Sequence, residues 1–317
     1  LPESSTRRKL ITVTGSIDPA EAGITDAHNH VWIAPVAGAT DDAPVLNDQS
    51  AITQELIAYR NGGGGTVIDC QPGGCGRDGR ILRQLAEASG VNIVACTGFH
   101  LRKYYPAGFS LFESSPETAC QHFVAELGEQ LEESQDLVVP IRAGFIKIAC
   151  EDTLEKSPMN LLEGAVLASL ETGAAIEVHT EQGAGAERIV QTMLDFGLTP
   201  DRLILCHVDK RPDFAFHANL AQMGIMLAYD TFYRPKYRPD EHVWPLLERM
   251  VEAGYAAQIS IATDMADAAM WSSMGQGPGL TGLITQIAAR LEMMNFDKQT
   301  VHNLTGQNIA HRLALLG

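Results

Sequence analysis

Side chains of metal-ligand type stand at the ends of β-rich runs spread over the whole chain. ITDAHNH carries His28 and His30, GFIKIA carries Lys147, IEVHT carries His179, LILCH carries His207 and ISIATD carries Asp264. Four imidazoles, a carboxylate and a bridging anion can hold two divalent metal ions, and such a centre turns water into hydroxide near neutral pH. The donors suit Zn²⁺, with Mn²⁺ or Co²⁺ as replacements. Taken singly, an inward His, Lys or Asp is more often a hydrogen-bonded core residue than a ligand. Only the joint pattern, ligand types ending five of these runs, points to a metal centre.

Lys147 needs its own argument, because an ammonium cannot ligate a cation. Burial beside two cations favours the neutral amine. A neutral amine adds CO₂ to give a carbamate, an anion whose two oxygens can bridge two metals. Two divalent ions bring about +4, against about −3 from carbamate, Asp264 and one hydroxide. The remainder favours an anionic transition state. The competing reading is an ammonium held by an inward carboxylate such as Glu177, and both readings stand at this stage.

The elements that must position these residues alternate between short β-rich runs and longer amphipathic stretches, the pattern of a parallel sheet built from βαβ units. Strands are predicted near 24–31, 64–70, 91–97, 143–149, 174–180, 203–208, 224–230 and 258–264. Helical stretches such as SAITQELIAYR, GRILRQLAEAS, PETACQHFVAELGEQLEE and NLLEGAVLASLE lie between them. Pro116 near one helix start and Gly173 just past another helix end are ordinary helix punctuation. Eight such strands fit a closed (β/α)₈ TIM barrel. The domain expected is a single one over residues 1–317, with a short segment of about 1–23 before the first barrel strand. Alternation turns Ile146, Ile148, Ile259 and Ile261 outward to the helices. Lys147, Asp264, His28 and His30 then face the barrel axis at the C-terminal ends of the strands, where barrel active sites lie.

Bulk composition narrows the function. With 317 residues, 45% of them hydrophobic, the chain can bury a large core, and a formal net charge of −16 argues against nucleic acid as a partner. No apolar run reaches membrane-spanning length, and LPESSTRRKL lacks the apolar core of a signal peptide. Because the chain begins with Leu, a few leading residues are expected to be processed or non-native. Cys70, Cys96, Cys150 and Cys206 fall on or beside predicted buried strands without short disulfide spacing. They read as small core residues in a reducing, cytoplasmic compartment. PGGCGRDGR lacks the Gly-Lys-Ser/Thr ending of a phosphate loop and reads as a plain turn.

From VTGSIDPAEAGITDAHNH to NIAHRLAL the chain resembles the phosphotriesterase family of the amidohydrolase superfamily. The resemblance implies that His28, His30, carboxylated Lys147 and Asp264 hold the more buried metal. His179, His207 and the same carbamate would hold the other. HVDKRPD, KYRPD and MGQGPGL are similar to segments of bacterial members that open phosphorylated sugar lactones, where basic residues after the last three strands grip the phosphate. Lys210 or Arg211 and Lys236 match two of those positions, whereas Ala266 and Asp267 stand where an arginine usually follows the last-strand aspartate. His100 occupies the place of a tyrosine in lipophilic lactonases and of a tryptophan in organophosphate hydrolases. Tyr229, Asp230 and Thr231 end the seventh strand without the arginine of those lactonases. His100, Lys210, Arg211, Asp230 and Lys236 are the substrate-binding residues expected.

The function expected is a binuclear metal hydrolase using a metal-bridging hydroxide, with Asp264 taking the proton of the attacking water and His207 helping to pass it on. A small polar or anionic, sugar-type lactone is the expected substrate. An amide or phosphotriester hydrolase on the same centre is the alternative among enzymes, and a barrel that only binds a ligand is the alternative outside them. A homodimer is expected. Arg102, Lys103, Lys210, Arg211, Arg234, Lys236 and Arg238 form either a rim that draws in an anionic substrate or an ordinary solvated surface. Trp32, Phe99, Tyr104, Tyr105, Phe232 and Tyr233 are candidates for pocket lining or for core and lid packing.

Overall fold

The computed structural model describes residues 8–316. The chain enters through a hairpin, β1 (Arg8–Thr12) and β2 (Gly15–Ile17), and then lays down eight barrel strands in order. These are β3 (Ile24–Asn29), β4 (Gly64–Asp69), β5 (Asn92–Gly98), β6 (Phe145–Ala149), β7 (Ile176–His179), β8 (Leu203–Cys206), β9 (Met226–Tyr229) and β10 (Ile259–Ile261). Each pairs in parallel with the next, so the spatial order is the chain order. The connecting helices are α1 (Gln49–Asn61), α2 (Gly79–Ser89), α3 (Pro116–Gly128), α4 (Met159–Thr172), α5 (Ala186–Asp195), α6 (Phe214–Gln222) and α7 (Val243–Glu252). Helical segments over 283–293 and 298–313 follow β10, and β11 (Leu315–Leu316) returns to pair with β1.

The alternation read along the strands appears as two separate layers of core. Ile146, Ile148, Ile176, Val178, Leu203, Leu205, Ile259 and Ile261 pack outward among the helices. Ala27, Ile68, Cys70, Cys96, Phe145, Ile204, Cys206, Ala228 and Ala262 fill the barrel interior. Small side chains dominate the inner layer because eight strands leave a narrow lumen. Residues 8–23 are more than a lead-in: β1 pairs with both β2 and β11, and Leu10 joins the interior cluster, so this small sheet helps stopper the barrel. Residues 1–7 lie outside the described residues.

Local rules account for the helix ends. Asp48, Asp78, Ser115 and Asp213 accept first-turn N–H groups of α1, α2, α3 and α6. Pro116 is at N1 of α3, and Gly173 caps α4 at φ 75°. The helix predicted to run on to residue 133 stops at Gly128. Beyond it Leu131 N–H turns to Ile141 O, and Glu132 N–H to the Glu126 carboxylate. Between β10 and β3 the barrel is stitched by Asp264 N–H to His28 O at 3.0 Å and Thr263 N–H to Asp26 Oδ1 at 3.0 Å. Among the described residues no helix is long and apolar enough to cross a membrane. All six cysteines are free and buried.

Candidate metal centre

The strand ends bring the expected ligands together at one end of the barrel. Adjacent ring centroids are 5.6 Å apart for His28 and His30, 4.9 Å for His28 and His207, and 4.6 Å for His179 and His207. Asp264 lies among them, with Oδ1 3.7 Å from His28 Nε2 and 3.9 Å from His30 Nε2, and Oδ2 3.9 Å from His207 Nδ1. Ligand atoms of His28, His207 and Asp264 all fall within 4.8 Å of one another. Burial, followed by the neighbouring His28, holds the His30 imidazole down at about 3. Burial likewise lowers His179 and His207, so their lone pairs are available to a metal near neutral pH.

Lys147 is fully buried, and its Nζ has no hydrogen-bond partner; the nearest carboxylate oxygen, Glu177 Oε1, is 3.8 Å away. Burial opposes the ammonium, while Cys206, Glu177, Cys70 and Cys96 would raise its pKa overall. Burial also pushes all three thiols well above their ordinary range, so they are neutral at pH 7. Glu177 alone is left to hold the charge, without a hydrogen bond. An orphaned amine amid converging imidazoles and a carboxylate fits a bridging group between two metals. A position served by a settled ion pair would not leave the amine unsatisfied.

Two of these residues carry unusual backbone. His207 has φ 63° and Asp264 φ 48°, both left-handed and both immediately beyond their strands or nearly so. Such conformations cost about 1–2 kcal/mol for a side-chain-bearing residue and persist where the surroundings over-determine them. A third special position is Gly98, at φ 113°, where an added Cβ would lie 1.8 Å from Lys147 O. Only glycine lets β5 approach β6 closely enough to leave Lys147 in place.

Several supporting residues had no motif to announce them. Gln71, just past β4, meets His30 Nδ1 through Oε1 at 2.7 Å, while its amide nitrogen is committed to Cys75 O. Arg234 reaches from the loop after β9 and donates to Asp264 Oδ2 at 2.8 Å. Burial raises the Asp264 carboxyl, but His28, Arg234, His30 and Lys210 outweigh it and hold the group below the usual carboxylate range. Asp230, expected to touch substrate, is instead fully buried behind His207, accepting its backbone N–H at 3.0 Å. Its Oδ2 is 2.8 Å from His207 Nδ1, off the line of a hydrogen bond. Asp209 in turn accepts from Asp230 N, Thr231 N and Thr231 Oγ1. Glu177, already expected to point inward, lies two residues from His179 on β7 and shares its face.

A cleft of about 370 Å³ opens over the centre, walled by His30, His100, His179, His207, Asp264 and Tyr104 on one side and by the Ile33–Val45 loop on the other. Lys210 is the one Lys or Arg lining it among the described residues. Arg211 is not brought to the cleft: it pairs with Glu187 at 2.8 Å and covers the Phe216 ring. Lys236 does not line the cleft either, although it shares the Tyr237 ring with Lys210. Most of the supposed rim is internally neutralised, Arg102 by Glu113, Lys103 by Asp42 and Arg238 by Glu241. MGQGPGL serves packing: the Glu55 carboxylate ties down Ser273 N and Leu280 N, and a Cβ on Gly277 would meet Met270 O at 2.1 Å. PGGCGRDGR is no phosphate loop; it turns Arg77 inward onto Glu126 and Glu133. Of the aromatic candidates Tyr104 faces the cleft, Phe99 and Tyr105 are core, and Phe232 packs on Trp244.

A parallel barrel with such a group at the C-terminal ends of its strands is the framework of a metal-dependent hydrolase. The family model of the phosphotriesterase family matches residues 8–312, and the chain belongs to that family. A phospho-furanose lactonase of Mycoplasmopsis synoviae is 28% identical over 96% of this chain and 91% of its own length. An N-acetyltaurine hydrolase of Xenopus tropicalis is 23% identical over 96% of this chain and 97% of its own. Among solved structures, a lactonase from Listeria monocytogenes superposes with a TM-score of 0.88 over 98% of this chain and 99% of its own, at 22% identity. The protein is a hydrolase built on this barrel.

Proposed function

We propose that the protein is a lactonase acting on a small polar or anionic, sugar-type lactone. The observation that carries the reading is Lys210, the one Lys or Arg among the described residues that lines the cleft walled by His30, His179, His207 and Asp264. The phospho-furanose lactonase relative supports it. His28, His30 and Asp264 would hold one divalent ion and His179 and His207 the other, with Lys147 as the carbamate between them. Zn²⁺ is the metal expected from the donors. Two divalent ions held there would supply water activation near neutral pH and polarisation of the scissile carbonyl.

The chain's own residues supply the rest. Asp264, steadied by Arg234, takes the proton of the attacking water, and the opening ester needs that proton on its leaving oxygen. His207, backed by Asp230, lies 3.9 Å from Asp264; with one ring nitrogen given to the metal and a proton on the other it takes up no second proton, so Asp264 itself returns the proton to the leaving oxygen. Lys210 and Tyr104 orient the substrate, and His100 closes the wall between His30 and His179. A homodimer in a reducing, cytoplasmic setting completes the proposal; light scattering would test the assembly.

Amide hydrolysis on the same centre is favoured by one observation, the N-acetyltaurine hydrolase relative. A phosphorylated or carboxylated lactone and an N-acylated sulfonate each carry an attackable carbonyl and an anionic group that one lysine could meet. The test is turnover of matched neutral, carboxylated and phosphorylated lactones, and of N-acyl amides, by metal-loaded wild type and Lys210→Ala. The substitution should raise KM for the anionic lactones about tenfold with kcat kept, because the contact exists in ground and transition states alike. Amide turnover without lactone turnover would overturn the lactonase reading.

A further inference from the structure

Glu177 has no role in the chemistry above, yet it is fully buried beneath the cleft, on β7 two residues before His179. Three groups converge on its Oε1: His28 Nδ1 at 2.7 Å, Cys206 Sγ at 3.0 Å and Cys70 Sγ at 3.1 Å. A carboxylate oxygen only accepts, so both thiols donate to it; a bare ring nitrogen would set lone pair against lone pair at 2.7 Å, so the His28 ring carries its proton on Nδ1. Cys206 Sγ is also 3.1 Å from His28 Nδ1. A protonated nitrogen has no lone pair to offer, so that thiol points its hydrogen at the carboxylate. A neutral imidazole has one ring proton. Nε2 is therefore bare, and Nε2 is the nitrogen that faces Asp264 Oδ1 at 3.7 Å.

We propose that Glu177 is a positioning residue that locks His28 in the Nδ1–H tautomer, with Cys70 and Cys206 pinning the carboxylate, so that Nε2 is presented to the metal centre. This rests on the metal-centre reading and adds to it the device that orients one ligand. His30 is held by the same logic from the other side, since Gln71 Oε1 takes its Nδ1 proton. The amide of Gln71 cannot flip, because its nitrogen is engaged by Cys75 O. The two histidines of one strand are thus anchored by acceptors from two different strand ends. Outer partners of this kind fix ring orientation, and their loss costs 10–100-fold in metal affinity (roughly, for metal-bound histidines).

The test compares zinc-loaded wild type with Glu177→Gln and Glu177→Leu. Glutamine keeps an oxygen facing three donors; leucine keeps volume and removes the acceptor. Chelator competition should show Glu177→Gln within about threefold of wild type and Glu177→Leu weaker by about 10–100-fold. Long-range ¹H–¹⁵N spectra of the histidine rings, with the His28 signals assigned by their loss in His28→Asn, should show wild-type His28 protonated at Nδ1. A folded Glu177→Leu with wild-type affinity, or a Glu177→Gln as defective as Glu177→Leu, would overturn the proposal. Should Glu177→Leu fail to fold, the wild-type spectrum decides: a proton on Nε2 refutes it. A cation bound by His28, Cys70 and Glu177 themselves, lost in Cys70→Ser, would also refute it, because Nδ1 would then be a ligand. A wild type that takes up no metal would overturn the reading of the centre, and the tautomer spectrum would still decide on Glu177.

Discussion

Lys147 is where chemistry and packing meet most closely, since a fully buried amine without a hydrogen bond is costly unless something is added to it. Lys147→Met should lower bound metal from about two ions per chain towards one or none, as a two-metal site requires its bridge, and should cost activity at least about 100-fold. Lys147→Glu should retain part of the metal, because a carboxylate can bridge. Elemental analysis beside turnover measures both, and a Lys147→Met protein with two ions and normal turnover would refute the carbamate. The candidate ligands were legible in the chain because histidine, lysine and aspartate at strand ends are rare enough to register jointly. Gln71 and Arg234 were not, because an amide and an arginine have many uses and only proximity to His30 and Asp264 assigns one.

At the scale of elements, the loops divide into those that build the cleft and those that hold the barrel together. Arg77, from the loop after β4, is fully buried and pairs with Glu126 of α3 and with Glu133. Burial raises the Glu126 carboxyl, but Arg77 above all, with help from His122 and Thr97, brings it down from 4.5 to about 2. A depressed carboxylate adds stability that is complete above its unfolded pKa and is lost as pH falls through the folded one. From the ordinary value of 4.5 down to about 2, the linkage is worth ~3 kcal/mol. Glu126→Gln should therefore be less stable than wild type by ~3 kcal/mol at pH 7, and the gap should narrow as pH falls from 4.5 towards 2. Denaturant titrations across that range measure it; a gap independent of pH would show that the pair contributes shape alone. The strands and their outward faces could be read directly, because period-two alternation survives in any context. The fates of Arg211 and Lys236 could not, since a loop's path depends on what it packs against.

For the whole molecule, a centre assembled from five strand ends would couple metal binding to folding. Ions that bind only the folded chain stabilise it by mass action, by about 4 kcal/mol at a thousandfold excess over Kd. Removing them by chelation should abolish turnover and lower Tm by several degrees, with both restored by Zn²⁺. Calorimetry of chelated and reloaded protein checks this, and an unchanged Tm with full activity would sink the metal requirement. In a chain of net charge −16, the single lysine Lys210 at the cleft would matter the more to an anionic substrate. With Arg102, Lys103, Arg211 and Arg238 already paired, salt should weaken that attraction only modestly at so short a range.

The order of residues alone settles the eight strands, which of their faces look inward, and the identity of the side chains that arrive at the mouth of the barrel. Those properties follow from local periodicity and from the chemistry of each residue type, and neither needs a partner distant in the chain. Tertiary structure decides which arriving groups touch. His28 meets Glu177 across 149 residues, and Arg234 meets Asp264 across 30. Asp230 stands fully buried behind His207. Hydrogen bonds and ion pairs act over about 3 Å, and contacts so short between residues so far apart exist only once the barrel has closed.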